Sequence, residues 1–270
     1  MPIGAGVRAW RSVLRTDEKT SGAGLPASRG RLRAVMLAPL VGLALMGLPA
    51  AAGPSVAHSG GVQAYFFGDS LMNGTGASPR RPVMARVAAA RLGWQVQVDA
   101  WGGTGYTTTG RSPGYLDRLR LPGALAGTYD VVLLEGGTND ARNAGDPEAV
   151  TEAVHAVVDE VQRRQPQALV VLMGAYDPPP PGLIDPRRAV IDSLVAEVAA
   201  ERGLPFFSPL SGGWTSGQAP SFLTADRLHP STRGYGVMGA RLAQELTLAV
   251  ERSGHKTQTA TPAQLAGSAP

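Results

Sequence analysis

Four short loops carry the residue types from which a catalytic site could be assembled: Gly68-Asp69-Ser70-Leu71, Gly102-Gly103-Thr104-Gly105, Gly137-Thr138-Asn139-Asp140 and Asp226-Arg227-Leu228-His229. Ser70 offers a hydroxyl, which becomes a nucleophile only with a base in hydrogen-bond reach. Of the four histidines, His58 lies near the end of a leader, His155 is mid-helix among valines, and His255 is in the C-terminal tail. His229 is the one on a loop before a helix, and His155 is assigned no role. Asp226 stands three residues before His229, a spacing that lets a carboxylate fold back onto Nδ1 and leave Nε2 facing the serine. Acyl transfer also needs donors aimed at a developing oxyanion. The backbone N–H of Ser70, the amide of Asn139 and the N–H of Gly103 are the candidates, glycine allowing main chain to approach a substrate closely. Each residue has a plainer reading too. Ser70 is the type that caps a helix, Thr-Asn-Asp forms Asx-turns, and Asp226 is a turn former. Asp69 is expected to shape the turn that presents Ser70, and Asp140 to serve the turn of its own loop.

These loops need a scaffold that brings strand ends to one edge. Apolar runs predict strands over Val62–Phe67, Trp94–Asp99, Asp130–Glu135, Ala168–Gly174 and Leu204–Phe207. Between them, helical spacing and stop signals predict helices over Pro82–Leu92, from Asp146-Pro147 to about Gln165, over Pro186–Arg202 and over Thr232–Glu251. Residues from Gly110 to Gly127 read as a polar stretch, and Pro178 to Pro181 as a rigid loop. Strands alternating with helices of these lengths imply α/β architecture, a parallel sheet with helices on both faces. Ligands of such sheets bind at the carboxyl edge.

Charge separates the chain into parts. Residues 1–52 hold six Arg and one Lys against Asp17 and Glu18, whereas the remainder holds 18 basic and 19 acidic residues. The body is close to neutral, so the basic pI is no argument for nucleic acid. Arg29, Arg31 and Arg33 precede an uncharged apolar run, Ala34–Leu48, and Ala50 and Ala52 offer a small-residue exit. That is the order of a secretory signal peptide, at about 29–52, behind a polar extension that a start codon placed too early would explain. An uncleaved membrane anchor is the rival reading. The expected organisation is a leader over 1–57, one domain over 58–252 and a disordered tail over 253–270, with the body secreted or at the cell surface. There is no cysteine, which removes thiolate nucleophiles, disulfides and thiolate metal sites together.

Other chemistries lack their motifs. Gly-x-Ser-x-Gly does not surround Ser70, no third glycine completes a dinucleotide fingerprint, and there is no P-loop and no His-Glu-x-x-His. The four loops in this order resemble the four sequence blocks of the GDSL, or SGNH, hydrolases, a family of secreted esterases and lipases. The resemblance spans about residues 62–250. It implies a three-layer, flavodoxin-like fold with a central, mostly parallel five-stranded sheet. It also implies Ser70 as nucleophile, His229 as base, Asp226 as its orienter, and Ser70, Gly103 and Asn139 around an oxyanion hole. Gly102 and Gly105 stay open as alternatives to Gly103, because the family often has an asparagine before that glycine, whereas here Asp99 sits near that place at a different spacing. The expectation is a serine esterase without cofactor or metal, a monomer acting on lipid or small acyl esters or on O-acetylated carbohydrate. Membrane or cell-wall association is compatible with the leader. A non-catalytic glycan-binding module is the reading from another class. Tyr106, Tyr115, Trp214 and Phe222 are the aromatics that would line a sugar platform or lipid groove, or else pack the interior.

Overall fold

The structure, a computed structural model, describes residues 61–78, 83–109, 112–143, 145–178 and 186–255. The expected signal peptide or anchor, the Ala50/Ala52 exit, most of the proline loop and most of the tail lie outside these residues. Among the described residues no helix is long and apolar enough to cross a membrane.

Five strands form one sheet: β1 Gln63–Gly68, β2 Gln95–Ala100, β3 Val131–Glu135, β4 Leu169–Met173 and β5 Phe206–Phe207. All pair in parallel, in the order β2-β1-β3-β4-β5. This is the flavodoxin-like order, in which the chain moves outward from β1 to β2 and then returns to the other side of β1. Register aligns the carboxyl ends, with Gly68 opposite Ala100 and Phe67 opposite Leu134. The loops after β1 and β3 therefore emerge side by side at the point where strand order reverses.

The sheet is near-continuously apolar because both faces are covered. Ala64, Phe66, Leu133 and Val171 face one layer, made by α2 (Met84–Leu92) and α7 (Thr232–Ser253). Tyr65, Phe67, Val132 and Leu134 face the other, made by α3 (Tyr115–Leu119), α5 (Pro147–Arg164) and α6 (Pro186–Glu201). In α5 the buried residues are Val150, Val154, Val157, Val158 and Val161, one helical stripe, each contributing roughly 1.5–3 kcal/mol by leaving water. Helices α2 and α7 approach closely because Gly239 has no side chain: a Cβ there would sit 2.5 Å from Val87 Cβ.

Several boundaries differ from the sequence expectation. The fifth strand is reduced to Phe206–Phe207, since Pro205 has no N–H to pair. Helix α2 starts at Met84, behind an extended Val83. The polar stretch before Gly127 contains α3, whose Tyr115 and Leu119 are buried against the sheet. Two further short helices follow the strand ends, α1 (Ser70–Asn73) and α4 (Thr138–Arg142).

Candidate active site

Strand β1 ends in Gly68, and only glycine fits there: a Cβ would lie 2.3 Å from Glu135 Oε2 and 2.8 Å from Met72 Cβ. Glu135, the last residue of β3, fills the space beneath the turn and accepts the Asp69 N–H at 3.0 Å. Asp69 is the N-cap of α1. Its Oδ1 accepts the Leu71 N–H at 2.8 Å, so it does shape the turn that presents Ser70. Ser70 is the first residue of α1, half-buried, with its Oγ 3.0 Å from His229 Nε2.

His229 is aimed by its own loop. Nδ1 lies 2.7 Å from Asp226 Oδ2, while Asp226 Oδ1 accepts from the N–H groups of Leu228 and His229, both at 2.9 Å, and from the Thr224 hydroxyl at 2.7 Å. The turn closes through Arg227 in the left-handed region (φ 56°) and through Thr224 N–H donating to His229 O at 2.9 Å. Burial alone would raise the Asp226 carboxyl, but the bonds it accepts outweigh this and hold it well below the usual carboxylate range. The carboxylate therefore stays anionic beside the imidazole at neutral pH. The run of contacts from the Ser70 hydroxyl through His229 to the Asp226 carboxylate is thus continuous, between loops 159 residues apart.

The second loop lies against the serine. A Cβ on Gly102 would be 3.5 Å from Ser70 Cβ, and Gly103 turns in the left-handed region (φ 76°). Neither N–H, nor that of Ser70, meets an acceptor among the described residues. Gly105 is different: its N–H donates to Thr108 O at 3.0 Å, which removes it as an oxyanion donor. Asp140 also departs from expectation. It does not serve its own turn but accepts from Tyr106 N–H, Thr107 N–H and hydroxyl, and Thr108 N–H, stapling the second loop to the third. Asn139 is buried, with Nδ2 donating to Asp69 Oδ2 at 2.8 Å and to Thr104 O at 2.9 Å. Both amide hydrogens thus already have protein acceptors.

Two residues that the sequence did not single out hold this arrangement. Arg118, on α3, is 1% exposed. Its Nη1 donates to Gly68 O and Thr104 Oγ1, both at 2.9 Å, and its Nη2 to Asp99 O and Oδ1 at 3.0 and 2.7 Å. Its guanidinium lies over the rings of Phe67 and Trp101, 4.2 and 5.0 Å from their centroids. One buried cation therefore ties the end of β1, the end of β2 and the second loop together. No local pattern around residue 118 marks this role. Glu135 did carry a signal, as a charge closing an apolar strand. Its carboxyl is pushed well up by burial and by the neighbouring Asp69, while Asp69 is raised to about 6, chiefly by burial. Both shifts disfavour a doubly ionised pair.

Tyr106, Tyr115, Trp214 and Phe222 are all interior packing, each 4% exposed or less. Trp101 is the large aromatic exposed beside the site, at 39%. His155 lies on α5, 3.3 Å from Glu201 and away from these loops. No cluster of side chains suited to a metal ion occurs among the described residues.

The profile of the GDSL-like lipase/acylhydrolase family matches residues 66–237. No protein of curated function matches the sequence. Among solved structures, a lipase/acylhydrolase from Enterococcus faecalis is 22% identical, covering 74% of this chain and 100% of its own, with a TM-score of 0.53. A family 2 carbohydrate esterase of Corynascus thermopiles is 21% identical, with 74% and 69% covered and a TM-score of 0.56. The lipase Lip_vut3 from a goat rumen metagenome is 19% identical, with 68% and 97% covered and a TM-score of 0.51. These three share the fold. With the family's pattern spanning most of the chain, the protein belongs to the GDSL-like lipase/acylhydrolase family and is a carboxylic ester hydrolase.

Proposed function

We propose that the protein is an exported serine esterase working through an acyl-enzyme, with Ser70 as nucleophile, His229 as general base and acid, and Asp226 as the group that orients and stabilises the imidazolium. The observation that carries this reading is the chain of contacts from Ser70 Oγ to His229 Nε2 at 3.0 Å and from Nδ1 to Asp226 Oδ2 at 2.7 Å. Ser70 Oγ bonds to the ester carbonyl carbon as its proton passes to Nε2. The alcohol oxygen then leaves with that proton as the carbon–oxygen bond breaks. Water adds to the acyl-enzyme by the same route, and Ser70 and the carboxylic acid are released. The carbonyl oxygen, negative in between, is met by the N–H groups of Ser70 and Gly103, with Gly102 alongside. Asn139 joins them by sharing with the oxyanion the hydrogen it gives to Thr104 O.

Hydrolysis of p-nitrophenyl acetate tests the reading. Wild-type protein releases nitrophenolate and Ser70→Ala does not. Equal release by both would remove Ser70 from the mechanism. Export rests on the leader's arginines, apolar run and small-residue exit. N-terminal sequencing of protein recovered outside the producing cell distinguishes a start near Ala52 from a retained anchor.

A further inference from the structure

Beside Gly103 and Asn139, between the loops that follow β2 and β3, the surface opens into a cleft of about 640 Å³. Its other walls include Thr109, Arg142, Asn143 and Asp146, and no aliphatic or aromatic side chain lines it among the described residues. Arg142, Asn143 and Asp146 are exposed. Asp146 occupies the N-cap position of α5, yet its carboxylate caps no helix N–H. The Arg142 side chain makes no ion pair or hydrogen bond among the described residues, and Asn143 Nδ2 has only a long contact, 3.4 Å, to Thr108 Oγ1. A guanidinium, an amide, a carboxylate and a hydroxyl thus face one space, next to the proposed oxyanion hole, with most of their hydrogen-bonding capacity unspent.

We propose that this cleft receives the hydroxyl-bearing alcohol part of the ester, so that the preferred substrates are short acyl esters, acetate above all, of carbohydrates. The proposal rests on the esterase reading and deepens it. A long acyl chain gains affinity only where apolar walls replace water, and here it would strip water from charged and polar groups without replacing their bonds. Sugar hydroxyls both donate and accept, and match a carboxylate, a guanidinium and an amide in turn. The aromatics that would build a lipid groove are inside the core, whereas Trp101 remains exposed next to Gly102, its ring held on the Arg118 guanidinium. In the reaction the acetyl carbon–oxygen bond breaks, water supplies the new oxygen, and the products are the free sugar hydroxyl and acetate.

The test uses the full-length protein and needs no unidentified ligand. kcat/KM is measured for p-nitrophenyl acetate, butyrate and octanoate, and for an acetylated xylo-oligosaccharide by acetate release. The expected result is a fall of about tenfold or more from acetate to octanoate, together with release of acetate from the saccharide. Arg142→Ala and Asp146→Ala should lower kcat/KM for the saccharide about fivefold more than for p-nitrophenyl acetate, mainly through KM. Rates that rise towards octanoate, or variants that lose both substrates equally, would overturn the proposal while leaving the esterase reading intact. No hydrolysis of p-nitrophenyl acetate above a Ser70→Ala control would overturn both.

Discussion

Replacing Arg118 with methionine should destabilise the protein and loosen its site together. The substitution keeps part of the side-chain volume but removes the charge and four donated hydrogen bonds. Gly68 O retains the Trp101 N–H, so the end of β1 is half served. The Asp99 carboxylate, 18% exposed, keeps only the Tyr65 hydroxyl. Removing one member of a fully buried pair costs about 3–5 kcal/mol, and the partial exposure of Asp99 places this pair at the lower end, about 3 kcal/mol. For a body of this size that is roughly 6–12 °C in Tm. Thermal unfolding followed by circular dichroism reads it directly. Arg118→Lys keeps the charge but cannot fork to four acceptors, and should fall between wild type and Arg118→Met. Because Nη1 holds both Gly68 O and Thr104 Oγ1, kcat for p-nitrophenyl acetate should fall in parallel with Tm. If Arg118→Met melts within about 2 °C of wild type, the clamp contributes little stability and the reasoning fails.

Asn139→Ala removes the donor to Asp69 Oδ2 and Thr104 O. It should cost about 1–3 kcal/mol of stability and lower kcat by roughly 10²–10³-fold, with steady-state kinetics separating the two effects. An unchanged kcat would restrict Asn139 to holding the loops. Asp226→Asn should lower kcat by at least about a hundredfold with little change in melting, because it disturbs the imidazole from an exposed loop. Asp69, raised to about 6 by burial, binds a proton in the folded state that the unfolded chain releases between about pH 4 and pH 6. This contribution therefore stabilises the fold increasingly as pH drops through that window. The difference in Tm between wild type and Asp69→Asn should grow from pH 7 to pH 4 in favour of wild type, and a constant difference would show that Asp69 does not titrate there.

The order of the strands and of the four longer helices was legible in the sequence, since alternating apolar runs and helical stripes are local patterns that each segment carries within itself, whereas the short helices α1, α3 and α4 were not. The four loops were legible as well. Glycines, a serine, an asparagine and an Asp-x-x-His at strand ends announce their chemistry, and a carboxylate three residues from a histidine needs only a tight turn to reach it. Tertiary structure decided what surrounds them. Arg118 reaches Gly68 across 50 residues, Glu135 reaches Asp69 across 66, and Asp140 reaches the Tyr106–Thr108 backbone across 32 to 34. No window of sequence holds both members of such a pair. The same holds for the glycines of the second loop, where one accepted bond, Gly105 N–H to Thr108 O, removes a candidate that composition left equal to its neighbours. The aromatics illustrate the point from the other side. Tyr106, Tyr115, Trp214 and Phe222 look like a binding surface along the chain, but burying a large ring gains more than exposing it, and the sheet had room for all four. Sequence alone determined which groups could react, because that depends on residue type and short spacing. Folding decided which groups hold them and what the cleft beside them is lined with, because that depends on which distant segments share one edge of a sheet.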